Sequence, residues 1–131
     1  MKELAFRLVK GNDLKERIES ECKENGVDTT VVLSGVGSVS KVKIRLAKAL
    51  DYLEIVNDYE IVSMTGTISN GKAHIHVSFA DENANCIGGH LEYGCIIDTT
   101  CELVLGVLDE YSSLRQFDEN TGYNEIVFNK K

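Results

Sequence analysis

From Lys41 to Leu46 the chain reads Lys-Val-Lys-Ile-Arg-Leu, a strict alternation that predicts a half-exposed strand carrying Lys41, Lys43 and Arg45 on one face. Residues 3–10 alternate more loosely and stop at Gly11-Asn12-Asp13, a cluster suited to ending a strand and opening a helix. Leu14, Ile18 and Cys22 recur every fourth residue, Asp13 with Glu16 resembles a capping box, and Gly26 stands where a left-handed cap belongs. Together they predict an amphipathic helix over 13–24. The β-branched run from Thr29 to Leu33 predicts a buried strand entering Ser34-Gly35-Val36-Gly37-Ser38, whose glycines imply a turn or bulge. Residues 47–58 are compatible with a short helix or an irregular strand.

Tyr59–Ser69 is rich in β-branched residues and ends at Asn70-Gly71, a strong hairpin turn. The partner strand follows at once, with Ala73, Ile75, Val77 and Phe79 on one face and Lys72, His74, His76 and Ser78 on the other. After a turn at Asp81–Asn85, the stretch Gly94–Leu108 places Cys95, Ile97, Cys101, Leu103, Leu105 and Val107 in phase, as in a long, mostly buried strand. Its other face, with Ile96, Asp98, Thr100, Glu102 and Val104, is mixed, which suits contact with another layer or subunit. The tail from Leu114 to Phe128 supplies one or two short closing strands around Thr121-Gly122. These elements predict one α+β domain over residues 1–131: a mixed, largely antiparallel sheet of about six to eight strands, one dominant helix and room for a second short one.

The 131-residue length is that of a single domain, and a chain of this size buries roughly two thirds of its unfolded surface without disulfide or metal staples. A metal here would therefore be functional first. A net charge of −7 repels nucleic-acid phosphates and anionic membranes. Charge interrupts the N-terminal apolar residues too often for a signal sequence, and no window approaches the ~18 apolar residues of a membrane span. A cytoplasmic protein with no membrane partner is expected. Cys22, Cys86, Cys95 and Cys101 form no Cys-x-x-Cys pair and are expected to be reduced thiols. There is no proline, so turns fall to Gly, Asn and Asp.

All three histidines, His74, His76 and His90, lie in one hairpin-like segment. Two apart on a strand, His74 and His76 project from one face. If Asp81–Asn85 is a five-residue loop, Ala80 faces Cys86, Ser78 faces Gly88 and His76 faces His90, which gathers three imidazoles. A slip of one residue would send His90 to the Val77 face, and Gly88-Gly89 is where a bulge would allow it. Three imidazoles suit a divalent metal, zinc foremost, and leave one tetrahedral position open. Glu92, opposite His74 in that register, and Glu60 are candidate accessory groups. The competing reading is a polar strand face whose histidines pack or solvate.

Other motifs carry less. Gly35-Val36-Gly37 lacks the third glycine opening a helix that a dinucleotide fingerprint needs. Cys95 and Cys101 sit on the apolar face, where thiols are inert. Lys41, Lys43 and Arg45 form the only basic stripe, read as a solvated face or one side of an ion-pair network.

Several stretches together resemble the PPC domain, the plants-and-prokaryotes conserved domain, over nearly the whole chain. They are Arg7-Leu8-Val9-Lys10-Gly11-Asn12-Asp13-Leu14, Leu33-Ser34-Gly35-Val36-Gly37-Ser38-Val39, Tyr59-Glu60-Ile61-Val62-Ser63-Met64-Thr65-Gly66, and above all His74-Ile75-His76-Val77-Ser78 followed by Gly88-Gly89-His90-Leu91 and Gly94-Cys95. The resemblance implies a sheet flanked by helices, a homotrimer, and a metal-compatible histidine cluster at His74, His76 and His90. Plant members carry AT-hooks and the family is described as DNA-binding, but this chain has no Arg-Gly-Arg-Pro core. The plant motif Gly-Arg-Phe-Glu-Ile-Leu aligns with Asn57–Val62, keeping the glutamate and isoleucine and losing the glycine and arginine.

Two function classes follow. The first is an oligomeric regulatory or binding module whose partner is a protein or small ligand, with direct DNA contact disfavoured by charge. The second is a zinc-dependent enzyme acting on a small polar substrate through a metal-bound water, with Glu60 and Glu92 as the only nearby candidate bases.

Overall fold

The computed structural model describes residues 1–131. Eight strands and one helix follow in order: β1 (Lys2–Val9), α1 (Leu14–Glu24), β2 (Thr29–Arg45), β3 (Tyr52–Ser69), β4 (Lys72–Ala80), β5 (Cys86–Leu91), β6 (Ile96–Val107), β7 (Tyr111–Asp118) and β8 (Tyr123–Lys130). Six strands form a sheet in the order β1-β6-β2-β3-β4-β5, and β7 and β8 pair separately. Every pairing between them is antiparallel, so the sheet is not mixed. No helix is long and apolar enough to cross a membrane.

Helix α1 forms where its apolar spacing requires. The Asp13 carboxylate accepts the Glu16 N–H at 3.1 Å and, through its other oxygen, the Gly94 N–H at 2.6 Å, so one side chain caps the helix and ties it to the approach of β6. Leu14, Ile18 and Cys22 are fully buried and join a core with Leu8, Ile44, Phe79, Leu91, Ile97 and Leu105. At roughly 1.5–3 kcal/mol per large apolar side chain, this burial is the main force holding the helix to the sheet.

The segment 47–58 resolves as the irregular strand rather than a second helix. Residues 46–51 close a hairpin, with the Leu46 N–H donating to the Asp51 carbonyl at 2.8 Å, and Tyr52 opens β3 opposite Arg45. A register shift between Val39 and Lys41 supplies the irregularity. Pairing with β2 overrides the helical propensity of Ala47-Lys48-Ala49-Leu50 at a cost: Lys48 and Ala49 take φ of 77° and 58°. The Ser34–Ser38 glycines form a bulged strand and no turn. A Cβ on Gly37 would lie 2.3 Å from the Thr100 carbonyl, so glycine is what lets β2 and β6 approach there.

Strand β5 is bound on both sides. It pairs with β4 and, through Ile44↔Leu91 and Arg45↔His90, with the end of β2. The sheet thereby curls until its last strand meets an inner one. Gly88 and Gly89 make this close fit sterically feasible, since Cβ atoms there would sit 2.8 Å from the Val77 carbonyl and 2.7 Å from the Arg45 carbonyl. They do not make a bulge: the β4–β5 ladder runs unshifted from Ala80↔Cys86 to His76↔His90.

The tail forms two full strands. The Ser113 hydroxyl docks them on the main sheet, lying 2.8 Å from the Thr29 hydroxyl and 2.7 Å from that of Ser69, while Asn70 Nδ2 donates to the Ser113 carbonyl at 2.7 Å. All three hydroxyl residues are buried, so the polar cluster is satisfied internally.

Candidate metal centre

The three histidines converge because of the β4–β5 register. His74 and His76 project from one face of β4, and His90 stands opposite His76 on β5. Ring centroids lie 5.3 Å apart for His74 and His76, 5.2 Å for His74 and His90, and 5.8 Å for His76 and His90. One ring nitrogen from each histidine lies within 4.8 Å of those of the other two. A tetrahedral ion at ~2.05 Å from each nitrogen would draw them to roughly 3.4 Å, a closure that small side-chain rotations supply.

Two of the donors, His74 and His90, are held as neutral rings. Burial, then the charge of Arg45, holds the His90 imidazole down at about 4. Burial, then Arg115 and His76, lowers His74 below its ordinary value. Neutral imidazole is the form that ligates, so no proton need be displaced from these two rings near neutral pH. Three imidazoles without a carboxylate suit zinc and its transition-metal neighbours better than magnesium or calcium.

The rings face a cavity of about 820 Å³. The β2–β3 turn, strands β4 and β5, and the β7–β8 hairpin all contribute to its wall. A family model for the Plants and Prokaryotes Conserved (PCC) domain matches residues 1–109, a stretch that contains the trio with the order and spacing just described. The chain belongs to that family.

Among curated relatives, the Bifunctional protein GlmU of Synechococcus sp. strain JA-3-3Ab is 37% identical over 125 residues, covering 95% of this chain and 20% of GlmU. The chain thus spans about a fifth of the length of the curated relatives it matches. A Salmonella enterica protein of solved structure superposes with a TM-score of 0.95 at 26% identity, covering 99% of this chain and 94% of that one. A metal-containing protein from Archaeoglobus fulgidus superposes at 0.79 with 27% identity, covering 97% and 94%.

The other residues singled out from sequence are dispersed. The β4–β5 ladder ends at His76↔His90 because β5 turns toward β2, so Glu92 does not face His74, and its N–H donates instead to the Lys43 carbonyl at 3.2 Å. Glu60 pairs with Ala80 at the far end of β4 and lines a separate acidic pocket with Asp58 and Asp98. The basic stripe divides three ways. Lys41 pairs with Glu54 at 2.8 Å, Lys43 lies 5.7 Å from the Tyr52 ring centre, and Arg45 reaches the histidine cavity. Of the four free thiols, Cys22, Cys95 and Cys101 are buried and Cys86 is exposed. Burial raises the Cys95 thiol to about 11 and that of Cys101 to about 12, which keeps both protonated and inert.

Two contributors escape a reading of the sequence. Glu19, buried on α1, accepts the Ala73 N–H at 2.8 Å and the Tyr93 hydroxyl at 2.5 Å, pinning the chain just before His74 and just after His90. A glutamate on the apolar side of a helix was the available signal. Arg115 comes from β7, and nothing in the sequence ties that strand to the histidines.

Proposed function

We propose that this PCC-domain protein is an oligomeric binding module that holds one divalent metal, zinc foremost, on His74, His76 and His90. The observation carrying this reading is the convergence of three ring nitrogens within 4.8 Å, fixed by an unshifted ladder. The metal-containing relative from Archaeoglobus fulgidus supports it. When bound, the ion would present a Lewis-acidic position to an oxygen or nitrogen donor in the cavity. The chain's own residues do the rest: the β4 and β5 backbones aim the rings, and Glu19 braces both approaches.

A module role is supported by the relative GlmU, in which the matching stretch is a fifth of a larger protein. Assembly as a homotrimer follows from the family resemblance, and Val36, Val56 and Val62, apolar side chains that are 52%, 82% and 56% exposed, offer surface for such contacts. Direct DNA binding is not part of the proposal, because a net charge of −7 opposes it. The size of the cavity favours one second reading, a zinc-dependent enzyme for a small polar substrate. Zinc uptake by wild type, His74→Ala and His76→Ala tests the metal: wild type is expected to take one ion per chain and the variants to lose most of it. Equal uptake by all three would end the proposal.

A further inference from the structure

The cavity over the histidines is positively charged in an acidic protein. Arg45, Lys48 and Arg115 line it against a single carboxylate, Glu125. Neither arginine forms an ion pair, although the chain carries 21 acidic residues. Arg115 Nη1 reaches the Asn124 carbonyl at only 3.5 Å, and its Nη2 is buried with no hydrogen-bond acceptor among the chain's own atoms. Arg45 Nη2 has only the Nδ1 of His90, at 3.4 Å.

A buried guanidinium nitrogen without an acceptor is costly to fold, and an oxyanion in the cavity would supply the acceptor it lacks. Guanidinium donors form a planar fork that matches the two oxygens of a carboxylate or phosphoryl group. The strained Lys48-Ala49 turn sets a third cation on the same wall. Arg115 and Asn124 belong to the β7–β8 hairpin, beyond the residues that the family model matches.

We propose that Arg45 and Arg115 form a clamp for a small oxyanion, a free carboxylate or phosphate compound, seated in the cavity over the histidine trio. The clamp rests on the metal reading for the ion that would meet the same ligand from below, but the arginines act without it. An anion bridging two cations is attracted by both, and a divalent ion beside it strengthens the attraction.

The test is calorimetric titration at low ionic strength with two probes, inorganic phosphate and succinate. Each is run against wild type, Arg45→Gln, Arg115→Gln and Arg115→Lys, in chelator-treated and zinc-loaded form. The expected result is one anion per chain, bound at least tenfold more weakly by each glutamine variant in the metal-free protein, with partial rescue by lysine. The probe bound more tightly identifies the source as phosphoryl or carboxylate. Thermal melts check folding, and if Arg115→Gln fails to fold, Arg45→Gln and Arg115→Lys decide. Affinities unchanged in the variants, or no binding of either probe by wild type at millimolar concentration, would overturn the clamp. Arginine-dependent binding without zinc uptake would sink the metal reading alone, and zinc uptake without arginine-dependent binding would sink the clamp alone.

Discussion

Arg45 stands directly opposite His90 in the β2–β5 pairing, with its Nη2 3.4 Å from the imidazole Nδ1. A neutral imidazole has one lone pair, so where Nδ1 accepts from the guanidinium the ring has no second acceptor for a metal. Arg45 is thus both a competitor for that lone pair and a like charge beside any cation. Its removal by Arg45→Gln is expected to tighten zinc binding about three- to tenfold, a shift of about 1 kcal/mol, in a chelator-competition titration. Weaker zinc binding in the variant would mean that Arg45 supports the ring orientation more than it opposes the ion. The clamp predicts the opposite sign for anions, so a single variant separates the two roles.

Burial of the rings, with the Arg45 charge second at His90, sets a pH dependence. His90 titrates at about 4 in the folded chain against 6.5 for an unperturbed ring, and His74 is shifted in the same direction. Between those values the unfolded state binds more protons than the folded one, so stability present above pH 6.5 is lost as the pH falls toward 4. Because His90 is only partly buried, solvent screening reduces its effect to about 1 kcal/mol, several degrees in melting midpoint for a domain of this size. Chelator-treated protein should melt progressively lower from pH 7 to below pH 5, with His90→Asn showing a flatter profile. An equally steep profile in the variant would assign the acid sensitivity to other groups.

Gly89 is expected to be intolerant of any side chain. A Cβ there would press to 2.7 Å of the Arg45 carbonyl, next to His90, the residue of β5 that pairs with both β4 and β2. Gly89→Ala should cost about 1–3 kcal/mol as an overpacked site and reduce zinc uptake, because relief requires β5 to move and His90 with it. Retained stability and retained uptake together would show that the backbone yields without disturbing the ring.

The Ser113 hydroxyl supplies two of the hydrogen bonds that dock the β7–β8 hairpin, beside the one from Asn70 to the Ser113 carbonyl. Ser113 joins Thr29 and Ser69 in a buried cluster, and Ser113→Ala would leave those two groups short of a partner. A loss of about 1–3 kcal/mol is expected, with faster amide exchange concentrated in β7 and β8 and weaker anion binding through Arg115. Exchange rates that rise evenly along the chain would argue against a separately docked hairpin.

Much of this architecture is legible in the sequence. The five-residue loop at Asp81–Asn85 and the alternation of β4 were enough to place His76 opposite His90, because a strand with one buried face has a single acceptable register. The helix was equally clear, through Asp13 and the spacing of Leu14, Ile18 and Cys22. The misreadings share a cause. Glu92 faces His74 only if β5 stays with β4, whereas the pairing of β5 with β2 is a non-local event with no local signature. Residues 47–58 are ambiguous in sequence because Ala47-Lys48-Ala49-Leu50 favours helix while pairing with β2 demands a turn followed by a strand from Tyr52. Arg115 and Asn124 reach the cavity only through the docking of a separate two-stranded sheet, which periodicity cannot reveal.

The central claim is that His74, His76 and His90 share one metal ion. Anomalous diffraction recorded on either side of the zinc absorption edge, from crystals of protein grown with zinc, tests it most directly. One strong peak per chain is predicted, about 2 Å from a nitrogen of each of the three rings. Peaks only at other residues, with the three rings free of density, would contradict it.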